Sequence, residues 1–103
     1  MSRERIDLHK ILTDILESDN VYYQPPESIK LSYPCIIYSL SRFHTKFASN
    51  KRYRDLKCYD ITLIDKSPTS PYMESIRDLP YCELVRAPYV SDNLNHYKFQ
   101  LYF

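Results

Sequence analysis

The chain has 103 residues, 44% of them hydrophobic and 26% charged, with a net charge of +1. That is enough for one domain with a single core, spanning residues 1–103, and is ordinary for a soluble globular domain. Glycine is absent altogether, which excludes phosphate-cradling loops, the dinucleotide fingerprint and the glycine-flanked serine elbow, all of which need it for close backbone approach.

Residues 3–17, "RERIDLHKILTDILE", place Leu8, Ile11, Leu12, Ile15 and Leu16 on one stripe of an amphipathic helix. Ser2 is the expected N-cap. The helix should stop before "SDN", with Asn20 taking the left-handed conformation in place of glycine. "MSRERIDLHK" lacks the apolar region of a secretory signal, and no apolar run approaches the ~20 residues that span a bilayer. The expectation is a protein made and kept in a cytosol, without membrane contact.

"VYYQ" reads as a short strand closed by Pro25 and Pro26, which cannot donate to a ladder. "CIIYSLSRF" is the next strand, rich in β-branched and aromatic residues. Between them, "PPESIKLSYP" is a connection whose prolines reduce the entropy lost on ordering it. In "KCYDITLIDK", residues 57–66, Cys58, Asp60, Thr62 and Ile64 share one face and Tyr59, Ile61, Leu63 and Asp65 the other. The second face is the more apolar and should meet the helices. "SPTSPYMESIRDLP" predicts a short second helix, started by serine–proline pairs, burying Met73, Ile76 and Leu79 and closed by Pro80. "YCELVRAPYV" and "HYKFQLYF" are the last two strands, joined by a hairpin turn in "SDNLN". Tyr97, Phe99, Leu101 and Phe103 share a face of the final strand. The predicted order is α-β-β-β-α-β-β, an α+β fold with two helices on a mostly antiparallel sheet.

Little in the chain suggests chemistry. Cys35, Cys58 and Cys82 lack paired metal-ligand spacing and read as reduced core thiols, all three mostly buried. His9, His44 and His96 have no ligand or triad spacing beside them and read as solvated or interface residues. Asp60 and Asp65 lie on opposite strand faces, too far apart in direction for an acid/base couple. Asp7, Asp14 and Glu17 form the wet face of the first helix. No catalytic residue, metal site or cofactor is expected.

The anomaly is "RFHTKFASNKRYRDLK", residues 42–57. It holds six Lys/Arg (Arg42, Lys46, Lys51, Arg52, Arg54, Lys57) against Asp55 alone, a local balance of +5, and the remainder of the chain balances to −4. Phe43, Phe47 and Tyr53 are interleaved with the charges, as in nucleic-acid-binding patches. Because residues 45–55 lack alternation, they are expected to form a long hairpin loop beyond the sheet, mobile until it meets a partner. Three readings are open: a solvated hairpin, a contact for an acidic protein partner, or a small nucleic-acid-binding domain using residues 42–57. Within the loop, Lys46, Phe47, Lys51, Arg52, Tyr53 and Arg54 are the docking candidates.

"LHKILTDIL", "NVYYQPP", "YPCIIYSL", "YDITLIDKSP" and "SDNLNHYKFQLYF" together resemble the tail terminator (tail completion) proteins of long-tailed bacteriophages, over nearly the whole chain. The resemblance implies a structural virion protein, not an enzyme. Its subunits would form a hexameric ring that caps the tail tube protein and receives the head connector or stopper protein. Genome DNA would pass through the ring without specific binding, in a neck assembled in the host cytoplasm. The free protein would be monomeric or weakly associated. Tyr22, Tyr23 and Tyr33, held by Pro25, Pro26 and Pro34, would then be packing or ring-interface surface.

Overall fold

The computed structural model describes the backbone of residues 4–48 and 51–103, and the side chains of residues 4–41 and 57–103. Helix α1 (Arg5–Leu16) forms where Leu8, Leu12 and Leu16 recur at helical spacing and are buried, with Ile11 and Ile15 packed beside them. Its cap is Glu4; Ser2, the expected cap, lies outside the described residues. The Glu4 amide donates to Asp7 Oδ2 at 3.1 Å, and the Glu4 side chain accepts from the Asp7 amide, a reciprocal capping box.

The helix stops before "SDN" as expected, one residue short of Glu17, but the left-handed residue is not Asn20. Glu17 takes the left-handed conformation (φ 56°, ψ 35°), its amide donating to the Thr13 carbonyl at 2.9 Å. Asn20 does not take that role. Its side-chain amide donates to the Pro34 carbonyl at 3.3 Å and its carbonyl accepts from the Ile36 amide at 2.9 Å. A side chain that can hold two neighbouring segments together serves better as a clamp than as a turn.

That clamp starts strand β1 (Val21–Tyr23) alongside β2 (Cys35–Ala48), and the two are parallel. Parallel neighbours need a crossover of about a dozen residues, which explains the length of the proline-bearing connection from Gln24 to Pro34. Strand β3 (Lys51–Asp65) returns antiparallel to β2, with irregularities between Leu40 and Arg42 and between Lys46 and Phe47. Helix α2 (Tyr72–Arg77) follows, burying Ile76 and packing Met73 and Leu79 on the core as expected.

The stretch "YCELVRAPYV" is two strands, not one. Strands β4 (Cys82–Leu84) and β5 (Tyr89–Ser91) both pair antiparallel with β6 (Leu94–Tyr102), at Phe99–Leu101 and at Leu94–His96 respectively. Pro88 has no amide to offer the ladder between them. The sheet order is β1-β2-β3-β6-β4, with β5 also on β6, and the element order is α-β-β-β-α-β-β-β. The architecture is α+β, two helices on a mostly antiparallel sheet.

Both helices pack on one sheet face. Tyr38, Tyr59, Ile61, Leu63, Tyr97, Phe99, Leu101 and Phe103 point into the core they share with α1 and α2, which is the face expected from the alternation of β3 and β6. On the opposite face Thr62, Lys98 and Gln100 are half-buried, Asp60 and Glu83 are exposed, and Cys35, Cys58 and Ile64 are buried.

Residues 45–55 are mostly ladder, not loop. Pairing continues from Arg42↔Cys58 to Ala48↔Lys51, so β2 and β3 run on past the rest of the sheet as a two-stranded ribbon. At the usual rise per residue this ribbon is roughly 20 Å long, and the molecule measures 47 × 25 × 24 Å. The ribbon leaves the sheet at the Tyr102 end of β6, since Cys58 pairs with Tyr102 and the Lys57 and Phe103 backbones bond each other.

Candidate interaction site

The three tyrosines picked out from the sequence are dispersed. Tyr22 and Tyr23 alternate on β1, so only Tyr23 lies on the core side, packed against the buried cluster. Its ring sits 5.0 Å from that of Tyr38 and lies under the Arg5 guanidinium at 4.5 Å. Tyr22 and Tyr33 are half-buried, Tyr33 preceding a cis peptide bond to Pro34.

Tyr38 is the hub of a polar knot that sequence spacing did not reveal, because its partners are about thirty residues away along the chain. The ring is fully buried, Arg5 Nη1 donates to its hydroxyl at 3.2 Å, and His9 Nδ1 is 2.8 Å from the same oxygen. Burial pushes the Tyr38 hydroxyl above the ordinary tyrosine value, while the Arg5 hydrogen bond and charge pull the other way. Burial raises Tyr59 as well, with Tyr23 and Tyr38 adding to the effect. The knot fixes the start of α1 to β2.

The other histidines and carboxylates also have structural settings. His96 Nδ1 lies 3.0 Å from the Leu94 carbonyl, and its ring stacks on Tyr89 at 4.9 Å and 9° with Arg86 over the tyrosine at 4.4 Å. His44 belongs to the side chains outside the described residues. Asp60 accepts from Gln100 Nε2 at 3.3 Å on the open face, and buried Asp65 accepts from the Ser67 amide at 3.1 Å. Cys35 and Cys58 are buried and Cys82 is half-buried; all three are thiols. Burial pushes Cys35 up to about 11, and burial with the nearby Glu83 charge does the same for Cys82. Such thiols are poor nucleophiles. Among the described residues no three His, Cys, Asp or Glu side chains are grouped to hold a metal ion, and no helix is long and apolar enough to cross a membrane.

Where the β5–β6 hairpin meets the start of α2 there is an open groove of about 260 Å³, which sequence reading missed. Pro68, Met73, Pro88 and Val90 supply apolar walls, and Asn95 and Tyr97 line it from β6. Two bonds hold the Pro68 side in place: Tyr97 Oη donates to the Pro68 carbonyl at 3.0 Å, and Asn95 Nδ2 reaches the Asp65 carbonyl at 3.4 Å. These residues come from three separate stretches of chain, so no local motif announces them. Val90 is 66% exposed and heads a run of exposed apolar residues that includes Val85 and Tyr81 on the same edge of the sheet.

The backbones of Lys46, Phe47, Lys51, Arg52, Tyr53 and Arg54 lie in the ribbon strands. Their side chains lie outside the described residues. Comparison of the chain with protein-family models, with curated proteins and with solved structures gives no match.

Proposed function

We propose that the chain is a structural subunit of a phage neck, forming a hexameric ring that ends the tail tube and joins it to the head connector. Support comes first from the residues that carry the resemblance. "LHKILTDIL" lies in α1, "NVYYQPP" contains β1, "YPCIIYSL" opens β2, "YDITLIDKSP" closes β3, and "SDNLNHYKFQLYF" makes the last hairpin and β6.

The observation that carries the reading is the division of the molecule into a compact body and a projecting ribbon. A ring subunit must meet two neighbours and the parts above and below it. The body offers a half-exposed sheet face and short edge strands, and the ribbon offers a basic arm. Its tyrosines give large contact area at low entropy cost, with those at Tyr38, Tyr59 and Tyr97 spent on the core. The partners are the tail tube protein, the connector or stopper protein and further copies of this chain. DNA passes through the ring without specific binding.

The test is to remove this chain from a producing phage and image the particles. Tails of uncontrolled length that fail to join heads are expected, and normal virions would end the proposal. Binding of duplex or single-stranded DNA should be weak at low salt. Tight binding that falls steeply as salt rises would favour the nucleic-acid reading of residues 42–57 instead.

A further inference from the structure

We propose that the groove beside β5 is the docking site for the ribbon of a second copy of this chain. The inference rests on the ring reading and deepens it, because it names the contact between neighbouring subunits.

Direction in the fold comes first. The groove lies at the Asn95 end of β6, and the ribbon leaves the sheet at the Tyr102 end. The two are separated by nearly the length of β6, and the ribbon runs away from the groove. A chain therefore cannot place its own ribbon in its own groove. A second copy can, and the contact is then head-to-tail, using different surfaces on the two partners. Contacts of that kind repeat from copy to copy and close into rings when the rotation allows.

Charge points the same way. Residues 42–57 balance to +5 while the rest of the chain balances to −4, so the most complementary surface for the ribbon is the body of another copy. Around the groove, residues 65–97 carry five carboxylates against three Lys/Arg. The groove itself is lined by no charged side chain, which suits the aromatic residues that the ribbon sequence interleaves with its charges.

Hydrogen bonding adds a third reason. Among the described residues no strand pairs with the outer side of β5, and beyond the sheet the ribbon strands pair only with each other. An edge with unpaired amides and carbonyls is a template for another strand. Val90, exposed in the middle of β5, would be covered by that pairing.

Two full-length variants isolate the contact. In Val90→Lys the groove is blocked and the ribbon is intact; in Lys51→Ser/Arg52→Ser/Arg54→Ser the ribbon is blocked and the groove is intact. Val90 is exposed, the ribbon positions lie beyond the part of β3 that pairs with β6, and unchanged thermal unfolding confirms that each variant is folded. Thr69→Lys, also exposed, serves as a second groove variant. Isotope-labelled ribbon variant is titrated with unlabelled Val90→Lys and followed by NMR. Saturable amide shifts at Thr69, Met73, Val90 and Asn95 are expected, weakening as salt is raised. The reverse labelling, labelled Val90→Lys with unlabelled ribbon variant, should move ribbon amides and leave the groove amides unshifted, and each labelled variant titrated with its own unlabelled form should give no shifts. Absence of shifts at about millimolar protein, where even weak contacts populate, or shifts confined to another surface, would overturn the proposal. Virions separate this failure from that of the ring reading. A ring of this chain that still forms in Val90→Lys and Thr69→Lys particles leaves the ring standing and removes this contact.

Discussion

Among the described residues of this glycine-free chain, Glu17, Gln24, Tyr81, Asp92 and Asn93 have positive φ, backbone that glycine would take at no steric cost. Asp92 and Asn93 are suited to it, since both central residues of a two-residue hairpin loop of type I′ need positive φ. Glu17 and Tyr81 are not, and each bears a penalty of order 1 kcal/mol. Glu17→Gly and Tyr81→Gly should therefore each raise stability by about 1 kcal/mol, read as a higher urea midpoint with unchanged slope. Asn20→Gly should lower it, because the clamp to Pro34 is lost and no positive φ is relieved. Titration at the residue scale has a definite sign. Cys35 and Cys82 are raised from 9.0 to about 11, so between those values the folded chain keeps protons that the unfolded chain has released. Stability should be insensitive to these thiols below pH 9 and fall as pH rises toward 11, with Tyr38 and Tyr59 adding the same sign above pH 10. Urea midpoints across that range check it, and Cys35→Ala with Cys82→Ala should flatten the first part of the fall.

At the scale of elements, the ribbon is separable from what holds the body together. Beyond Cys58 its strands pair with no third strand among the described residues, and the described core from Leu8 to Phe103 is built by the helices and the sheet. Replacing residues 45–55 by Asn-Gly, between the paired residues His44 and Leu56, should leave a hairpin of the favoured turn type. The melting temperature is expected to move by no more than a few degrees, as for a surface change. Collapse of folding would show instead that the ribbon helps to hold the sheet. The same separation explains why some elements were legible in the sequence and others were not. In α1, β3 and β6 one face is buried, so burial imposes a period of 3.6 or 2 that can be read directly. Beyond the sheet the ribbon strands pair, among the described residues, only with each other, so the sheet imposes no apolar face there, and the sequence lacks the alternation that marks a strand. The start of α1 misled because Glu4 and Asp7 cap each other reciprocally, an arrangement that the search for a lone serine cap passed over. The division of β4 from β5 was written in Pro88 but masked by apolar residues on both sides. The groove was illegible because Pro68, Met73, Val90 and Asn95 meet only once the last hairpin has folded onto β6.

For the whole molecule, the governing fact is that opposite charges are kept at opposite ends of a long shape. The ribbon, at +5, projects from a body at −4, along a molecule whose longest dimension is 47 Å. Such an arrangement leaves the net charge near neutral but gives a large dipole, which orients encounters before any contact is made. At physiological ionic strength fields fade over about 8 Å, so steering acts only once partners are close, and the ribbon's reach of roughly 20 Å carries its charge out to meet them. The positive charge of this segment, more than any single side chain, should then decide whether tails are completed. Replacing Lys51, Arg52 and Arg54 by serine should leave the body folded, with a stability change within about 0.5 kcal/mol, because these strand positions lie beyond the part of β3 that pairs with β6. The same variant should fail to complete tails, whereas Lys51→Arg with Arg54→Lys, which keeps the charge, should complete them normally. Infectious titre of complemented phage is the measurement. Full titre from the serine variant at physiological salt would show the ribbon to be no more than a solvated hairpin.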